Sequence, residues 1–213
     1  MRLYFSPLAC SLATRIALYE ANLPADFIEV DPKTKRTADG RDYKTIHPLG
    51  LVPLLELPDG QLLSENAAIL QYVSGVPEAS LERARLQEWL GFISTELHKA
   101  VFVPLLDAKA PAEAKDYAKS KAAARLEHVA ARLENSEYLL DRFTVADAYL
   151  YTVLNWAMVT PIDLDRYPSI RAYQKRMRAR PTIDRAFKEE RVLYAKELAR
   201  HAVSSVVDFA TGR

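Results

Sequence analysis

Residues 1–20, MRLYFSPLACSLATRIALYE, decide the fold of this 213-residue chain. Leu3–Phe5 form a short apolar and aromatic run that predicts a buried strand, and the Ser6-Pro7 turn signal closes it. From Ser11 onward, apolar residues recur at helical spacing, and Ser11 is the expected N-cap. The stretch therefore predicts a strand, a turn and a helix, with Cys10 at the junction.

Cys10 is the only cysteine in the chain. At a helix N-terminus, unpaired backbone N–H groups and the positive end of the helix dipole favour a thiolate over a thiol. The position therefore predicts a reactive thiol with a lowered pKa. The alternative is an inert core position, because free cysteines are among the most buried residues. Without a second cysteine, any disulfide exchange at Cys10 needs an external thiol.

Composition and charge narrow the class of protein. Hydrophobic residues make up 49% of the chain, and the formal net charge of +1 gives no reason to expect nucleic acid or a membrane as a partner. The first residues lack the apolar segment of a secretory signal, and one cysteine cannot form a disulfide framework, so we expect a cytoplasmic protein. His47, His128 and His201 share no metal-ligand spacing, so we expect no metal site.

The glycines indicate a domain boundary. Five of the six, at positions 40, 50, 60, 75 and 91, lie in the first 91 residues, and none occurs from 92 to 211. Turn-rich sequence thus gives way to helical sequence. We expect an α/β domain over residues 1–75 and an all-α domain over residues 81–213.

Short strand patterns continue through the first domain. Asp26–Val30 predicts a second strand, and a long polar loop follows it. Leu54–Leu57 and Gln61–Leu63 flank Pro58-Asp59-Gly60, which predicts a hairpin. A helix comes next, with Glu65 expected in its first turn. Its predicted apolar stripe consists of Ala68, Ile69, Tyr72 and Val73.

Pro53 stands directly before one of these strands. The residues alone favour a proline at the start of the strand with an ordinary trans peptide bond, because few X-Pro bonds are cis. The alternative is a fixed turn that exposes the backbone of Val52, which could then pair with a peptide in the manner of a β-strand.

Helical patterns fill the second domain. Apolar residues at a 3.6-residue spacing predict a long helix from Leu81 to near Pro104. Thr144 is the expected N-cap of another helix, with Asp147 completing a variant capping box. That helix, over residues 146–159, is nearly all apolar or aromatic and is expected to be the buried centre of the domain. The remaining helices are predicted over residues 112–134, 170–179 and 182–202.

Six stretches in this order resemble the cytosolic glutathione S-transferases, most closely the bacterial beta class. They are LYFSPLACSLATRIAL (3–18), DPKTKRTADGRDY (31–43), HPLGLVPLLELPDG (47–60), LLSENAAILQYV (62–73), EWLGFISTELHK (88–99) and FTVADAYLYTVLNW (143–156). The resemblance implies a thioredoxin-like domain followed by an all-α helical bundle, assembled as a homodimer. It also implies glutathione as co-substrate and a small hydrophobic electrophile as the second substrate.

The resemblance also implies roles for individual residues. Cys10 corresponds to the cysteine that lies against the glutathione sulfur, and Val52-Pro53 to a cis-proline turn that pairs with the cysteinyl part of glutathione. Glu65 and Asn66 correspond to the pair that holds the γ-glutamyl end. The implied catalytic residues are Cys10, Ser11 and His98, and the implied glutathione-binding residues are Lys35, Val52, Pro53, Glu65, Asn66 and Lys99.

Alternatives remain open from the residues alone. Lys35 lies in a charge-rich loop, where a lysine is usually only solvated. His98 follows an apolar helix position, where a histidine is commonly satisfied by a backbone carbonyl. Two functions are therefore considered: an enzyme that conjugates glutathione and exchanges disulfides through Cys10, and a binding or regulatory protein that keeps the fold with little turnover.

Overall fold

A sheet of four strands forms the core of the first half of the chain. The computed structural model describes residues 1–76 and 80–211, and their side chains up to residue 202. Within these ranges the strand order is β2-β1-β3-β4. β1 pairs in parallel with β2 and antiparallel with β3, which pairs antiparallel with β4. The strands are β1 (Arg2–Phe5), β2 (Asp26–Glu29), β3 (Leu54–Glu56) and β4 (Leu62–Ser64).

Two helices belong to this sheet. Helix α1 (Ser11–Glu20) connects the parallel strands β1 and β2, as a parallel pair requires. Helix α2 (Asn66–Val73) follows the β3–β4 hairpin, whose turn contains Gly60 at a φ of +84°. The strands, the hairpin and both helices were predicted from the sequence, and the α/β fold class of this half is confirmed.

The second half is helical. A long helical segment opens it, formed by α3 (Leu81–Phe92), a wider π-helical stretch (Ile93–Phe102) and α4 (Val103–Leu106). Pro104 lies within the first turn of α4, and the segment continues past it to Leu106. The remaining helices are α5 (Ala112–Glu134), α6 (Val145–Asn155), α7 (Pro168–Arg178) and α8 (Pro181–Thr211). No helix in the described part of the chain has the length and apolar character needed to cross a membrane.

Four local predictions were wrong in detail. Cys10, and not Ser11, occupies the N-cap position of α1, so Ser11 is the first helical residue. The N-cap of α2 is Glu65, and Tyr72 on that helix is 53% exposed while Leu70 is buried. The buried helix α6 ends at Asn155, because a 3-10 turn follows it and leaves Met158 exposed.

One hydrophobic cluster extends through both halves. It includes Leu3 and Ile16 from the sheet domain and Leu90, Leu150 and Tyr151 from the helical half, all essentially without solvent exposure. Helix α1 has its most extensive contacts with α6 and also packs against α8. The helix that follows Cys10 is therefore held between the sheet and the helical half.

Asp147 fixes the start of α6. The predicted capping box with Thr144 is present, and the Thr144 N–H donates to Asp147 Oδ2 at 2.9 Å. Asp147 Oδ1 accepts from the Leu139 N–H at 2.9 Å and from the Tyr173 hydroxyl at 3.3 Å. Burial raises the pKa of Asp147 to about 6, although these donors oppose the shift. A fully buried carboxylate thus ties the preceding loop and α7 to the first turn of α6.

We expect Asp147→Ala to lower the free energy of unfolding by about 2–4 kcal/mol, because it removes a helix cap and leaves buried donors without an acceptor. Urea unfolding followed by circular dichroism measures the change. Asp116→Ala, on an exposed carboxylate of α5, is the matched control and should change the midpoint little. Equal midpoints for the two variants would contradict this role of Asp147.

Candidate functional site

A cleft of about 240 Å³ lies between the sheet domain and the helical half. Its walls come from the loop before α1, the turn before β3, the N-terminus of α2, the π-helical stretch and α6. Eight of the nine site residues predicted from the sequence line it: Cys10, Lys35, Val52, Pro53, Glu65, Asn66, His98 and Lys99. These residues are far apart in the sequence, and the fold brings them together.

Ser11 is the predicted site residue that does not line the cleft. It is fully buried, and its hydroxyl donates to the Ser6 carbonyl at 3.1 Å and accepts from the Ser6 N–H at 3.3 Å. The side chain therefore closes the loop that carries Cys10. Only the backbone N–H of Ser11 acts on the Cys10 thiol, where it favours the thiolate.

The Cys10 thiol lies against the backbone of Val52. Cys10 Sγ donates to the Val52 carbonyl oxygen at 3.3 Å, and the Val52-Pro53 peptide is cis, as the family resemblance implied. The expectation that Pro53 is an ordinary strand-start proline is wrong. The thiol is thus hydrogen-bonded to the carbonyl of a backbone segment that faces the cleft.

Burial raises the pKa of Cys10 to about 11, against the opposing effects of Lys99 and of the backbone N–H groups of Cys10 and Ser11. The predicted lowering of this pKa is therefore wrong. The helix N-terminus does act in the expected direction, but the desolvation of the thiolate outweighs it. With a pKa of about 11, Cys10 is a thiol at neutral pH.

Glu65 and Asn66 form the start of α2 at one end of the cleft. Glu65 adopts a φ of +67° as the N-cap, so its backbone turns sharply from β4 into the helix. Asn66 Nδ2 donates to the Cys10 carbonyl at 3.1 Å, and Asn66 Oδ1 accepts from the Thr14 hydroxyl at 2.8 Å. The Asn66 side chain thus joins α2 to α1, while Glu65 and the N–H groups of the first turn remain beside the cleft.

His98 forms a buried pair with Tyr149. Its Nδ1 lies 2.7 Å from the Tyr149 hydroxyl, so the partner is a side chain and not the backbone carbonyl considered from the sequence. Burial, followed by the neighbouring Lys99 charge, lowers the pKa of His98 to about 4, and the ring is neutral at pH 7. Burial raises the pKa of Tyr149 well above its ordinary value.

Tyr149 is a cleft residue that the sequence reasoning missed. It stands in the apolar and aromatic run of α6, where a tyrosine is typical of the core. The signal that could have identified it is its hydroxyl group, because a buried tyrosine usually has a polar partner.

Two lysines give the cleft its positive charge. Lys35 and Lys99 both line it, and neither takes part in an ion pair among the described residues. Cations without a protein counter-ion favour a ligand with carboxylates. The described part of the chain contains no group of three or more His, Cys, Asp or Glu residues suited to a metal ion. The cleft therefore combines a thiol, the Val52 backbone, one carboxylate and two lysines, which suits a small peptide-like anion.

Two family models match the chain. The N-terminal domain model of the glutathione S-transferases matches residues 9–75, and the C-terminal domain model matches residues 92–181. Together they cover most of the chain, and each falls on one of the two structural halves.

Individual relatives agree with these matches. Glutathione S-transferase GstA of Escherichia coli O157:H7 is 38% identical over 199 residues, which are 89% of this chain and 98% of that protein. The ternary complex of BphK, a bacterial GST, superimposes with a TM-score of 0.86 at 43% identity, covering 89% of this chain and 99% of that one. A sphingomonad glutathione S-transferase complexed with glutathione superimposes with a TM-score of 0.85 at 38% identity, covering 89% of this chain and 98% of that one.

The rate of Cys10 alkylation by iodoacetamide is expected to keep rising above pH 9 in the unliganded protein, because it follows the thiolate fraction of a thiol with a pKa of about 11. Lys99→Gln should raise this pKa further, since the Lys99 charge is the largest effect that lowers it. Lys35→Gln is the matched control from the same cleft. Mass spectrometry follows the reaction at the single cysteine. A plateau below the free-cysteine pKa of about 8.5 would contradict the expectation.

Proposed function

The chain belongs to the glutathione S-transferase family and is a glutathione transferase, and from this premise we propose that it conjugates glutathione to small hydrophobic electrophiles and exchanges disulfides with glutathione through Cys10. The observation that carries the proposal is the contact of the only thiol with the Val52 backbone, in the cleft that also holds the start of α2. A thiol ligand paired to that backbone would lie beside Cys10.

Glutathione is a γ-glutamyl tripeptide whose charges suit this cleft. We propose that Glu65 binds the γ-glutamyl ammonium and that the N–H groups of the first turn of α2 bind its carboxylate. The cysteinyl amide pairs with the Val52 backbone. Its N–H replaces the Cys10 thiol as the donor to the Val52 carbonyl, which frees the thiol. Lys35 and Lys99 neutralise the ligand's remaining negative charge.

Conjugation uses the glutathione sulfur as the nucleophile. Its thiol releases a proton to water, and the thiolate attacks the electrophile to form a carbon–sulfur bond. In a substitution the leaving group departs with the bonding electron pair, and in an addition to a double bond the resulting carbanion takes up a proton from water. Neutral His98 and the backbone N–H groups near Cys10 stabilise that thiolate by hydrogen bonds, and the Lys99 charge favours it. Cys10 itself forms no bond in this reaction.

Disulfide exchange, in contrast, requires the sulfur of Cys10. The Cys10 thiolate attacks the glutathione sulfur of a mixed disulfide, and the other sulfur leaves as a thiolate that takes up a proton. A second glutathione thiolate then attacks the Cys10–glutathione disulfide, releasing Cys10 and oxidised glutathione. Because burial raises the pKa of Cys10 despite the nearby Lys99 charge, its thiolate is a minor form at neutral pH.

We also propose a homodimer in the cytoplasm. Leu62 on β4 and Tyr72 on α2 are about half exposed, and such apolar side chains suit a subunit interface. A free thiol fits a reducing compartment.

Glu65→Gln is expected to weaken glutathione binding about tenfold or more, because a charge-assisted bond to the ammonium contributes about 1.5–3 kcal/mol. Glutamine keeps the size of the side chain at this N-cap and removes only its charge. Calorimetric titration with glutathione measures the affinity, and Glu88→Gln on the exposed face of α3 is the control. Unchanged affinity in Glu65→Gln would remove Glu65 from the binding site.

Cys10→Ala is expected to abolish glutathione-dependent reduction of a small disulfide while leaving measurable conjugation of an aromatic electrophile. The reason is that the chain offers no other sulfur for a mixed disulfide, whereas conjugation uses the sulfur of glutathione. The two activities are assayed on the same preparation, and mass spectrometry of the wild type looks for a glutathione adduct. Full disulfide reductase activity in Cys10→Ala would overturn the exchange reaction proposed for Cys10.

A further inference from the structure

The loop that precedes Cys10 is held at Leu8 by two side chains from the helical half. The Leu8 N–H donates to Glu190 Oε2 at 2.7 Å, and the Leu8 carbonyl accepts from Trp156 Nε1 at 3.0 Å. Glu190 belongs to α8, and Trp156 belongs to the 3-10 turn after α6. Both hydrogen-bonding groups of one loop residue are thus satisfied from distant parts of the chain.

Leu8 needs such support because its backbone lies in the left-handed region, with a φ of +58°. Leucine rarely adopts this conformation, and it persists where the surrounding structure fixes it. Leu8 is two residues before Cys10, so its conformation sets the direction in which the chain enters the N-cap position. The two hydrogen bonds therefore act on the placement of the thiol.

Glu190 is itself held firmly. Its side chain is fully buried, and its Oε1 accepts from Arg15 Nε at 2.9 Å. The Arg15 guanidinium is buried between the rings of Phe5 and Phe27, with its central carbon 4.3 and 4.0 Å from their centroids. The buried Arg15 pairs with two carboxylates, Glu190 at 2.9 Å and Glu189 at 3.1 Å. Turning Glu190 toward solvent would break the shorter of these ion pairs, so Glu190 is a well-held acceptor for the Leu8 N–H.

Trp156 connects the same loop to His98. Its ring packs edge-on against the His98 ring at a centroid distance of 4.9 Å and against Phe102 at 6.0 Å. A single side chain thus contacts the loop that carries Cys10 and the histidine on the opposite wall.

We propose that Glu190 and Trp156 are positioning residues for the glutathione reactions, which hold the Leu8 peptide so that Cys10 stays against Val52 and aligned with His98. The inference rests on the proposed function of Cys10. Neither residue lines the cleft, so neither is expected to contact glutathione.

Loss of one of these hydrogen bonds has two opposite consequences. The loop relaxes, Cys10 becomes better solvated, and its pKa falls toward the ordinary value. A fall of one unit raises the thiolate fraction tenfold, and the weaker nucleophilicity of a more acidic thiol offsets part of this, so alkylation should become about threefold faster. Disulfide exchange should become slower, because the freed thiol no longer faces the glutathione sulfur.

The decisive variant is Trp156→Phe, which removes the indole N–H and keeps an aromatic ring beside His98. Trp89→Phe is the matched control, because it makes the same chemical change at the only other tryptophan, which packs on Phe92 and His128. The measurements are the iodoacetamide alkylation rate of Cys10 at fixed pH, kcat for disulfide exchange and the glutathione affinity. We expect faster alkylation, lower kcat and little change in affinity for Trp156→Phe alone.

Glu190→Gln and Glu190→Ala test the other hydrogen bond. Glu190 accepts from the Leu8 N–H with one oxygen and from Arg15 Nε with the other, and glutamine has a single acceptor oxygen for these two donors. Glutamine should therefore give an alkylation rate between those of the wild type and of alanine, and alanine should give the fast rate. If Glu190→Ala does not fold, Trp156→Phe still decides the question.

Unchanged alkylation and kcat in Trp156→Phe, or equal effects of Trp156→Phe and Trp89→Phe, would overturn the proposal. A different result would show that the disulfide exchange proposed for Cys10 is itself wrong. In that case Cys10→Ala retains full exchange activity, while the alkylation rates of the Trp156 and Glu190 variants still report the placement of the thiol.

Discussion

The buried ion pair between Arg15 and Glu190 is the interaction on which the arrangement of the two halves depends. Both side chains are buried, so Glu190 requires the Arg15 charge, while Arg15 pairs with both Glu190 and Glu189. The arginine lies on α1 and the two carboxylates lie on α8, toward opposite ends of the chain. Burial raises the pKa of Glu190 to about 7, against the Arg15 charge and the Leu8 N–H. The pair fixes α1 against the helical half, and α1 begins at Ser11, directly after the Cys10 N-cap that carries the thiol.

The local elements of the fold could be predicted from the sequence because their signals are local. The Pro58-Asp59-Gly60 turn and the Thr144 capping box depend on a few adjacent residues, and both are present where the sequence placed them. The exposure of Tyr72 was not predictable in this way. Which face of a short helix is buried depends on the elements packed against it, and these come from elsewhere in the chain.

Much of the candidate site was predicted through its resemblance to a family, and the departures have physical causes. The pKa of Cys10 depends on two opposing effects, and the sequence displays only the helix N-terminus that lowers it. The desolvation that prevails arises from the assembled cleft. Tyr149 was not predicted as a site residue for a similar reason, because its hydrogen-bond partner His98 lies on another helical segment. The spacing of residues in a sequence indicates the faces of a single helix or strand. The burial of Cys10 and the contact of Tyr149 with His98 depend on the packing of several such elements.

The hydrogen bond from the Cys10 thiol to the Val52 carbonyl also affects how the protein withstands oxidants. Peroxides attack the thiolate, and the resulting sulfenic acid is rescued when a neighbouring thiol condenses with it. This chain has no second cysteine to perform that rescue. Keeping the sulfur protonated and engaged with a carbonyl slows the first oxidation step, so the only thiol is preserved in its reduced form between encounters with glutathione.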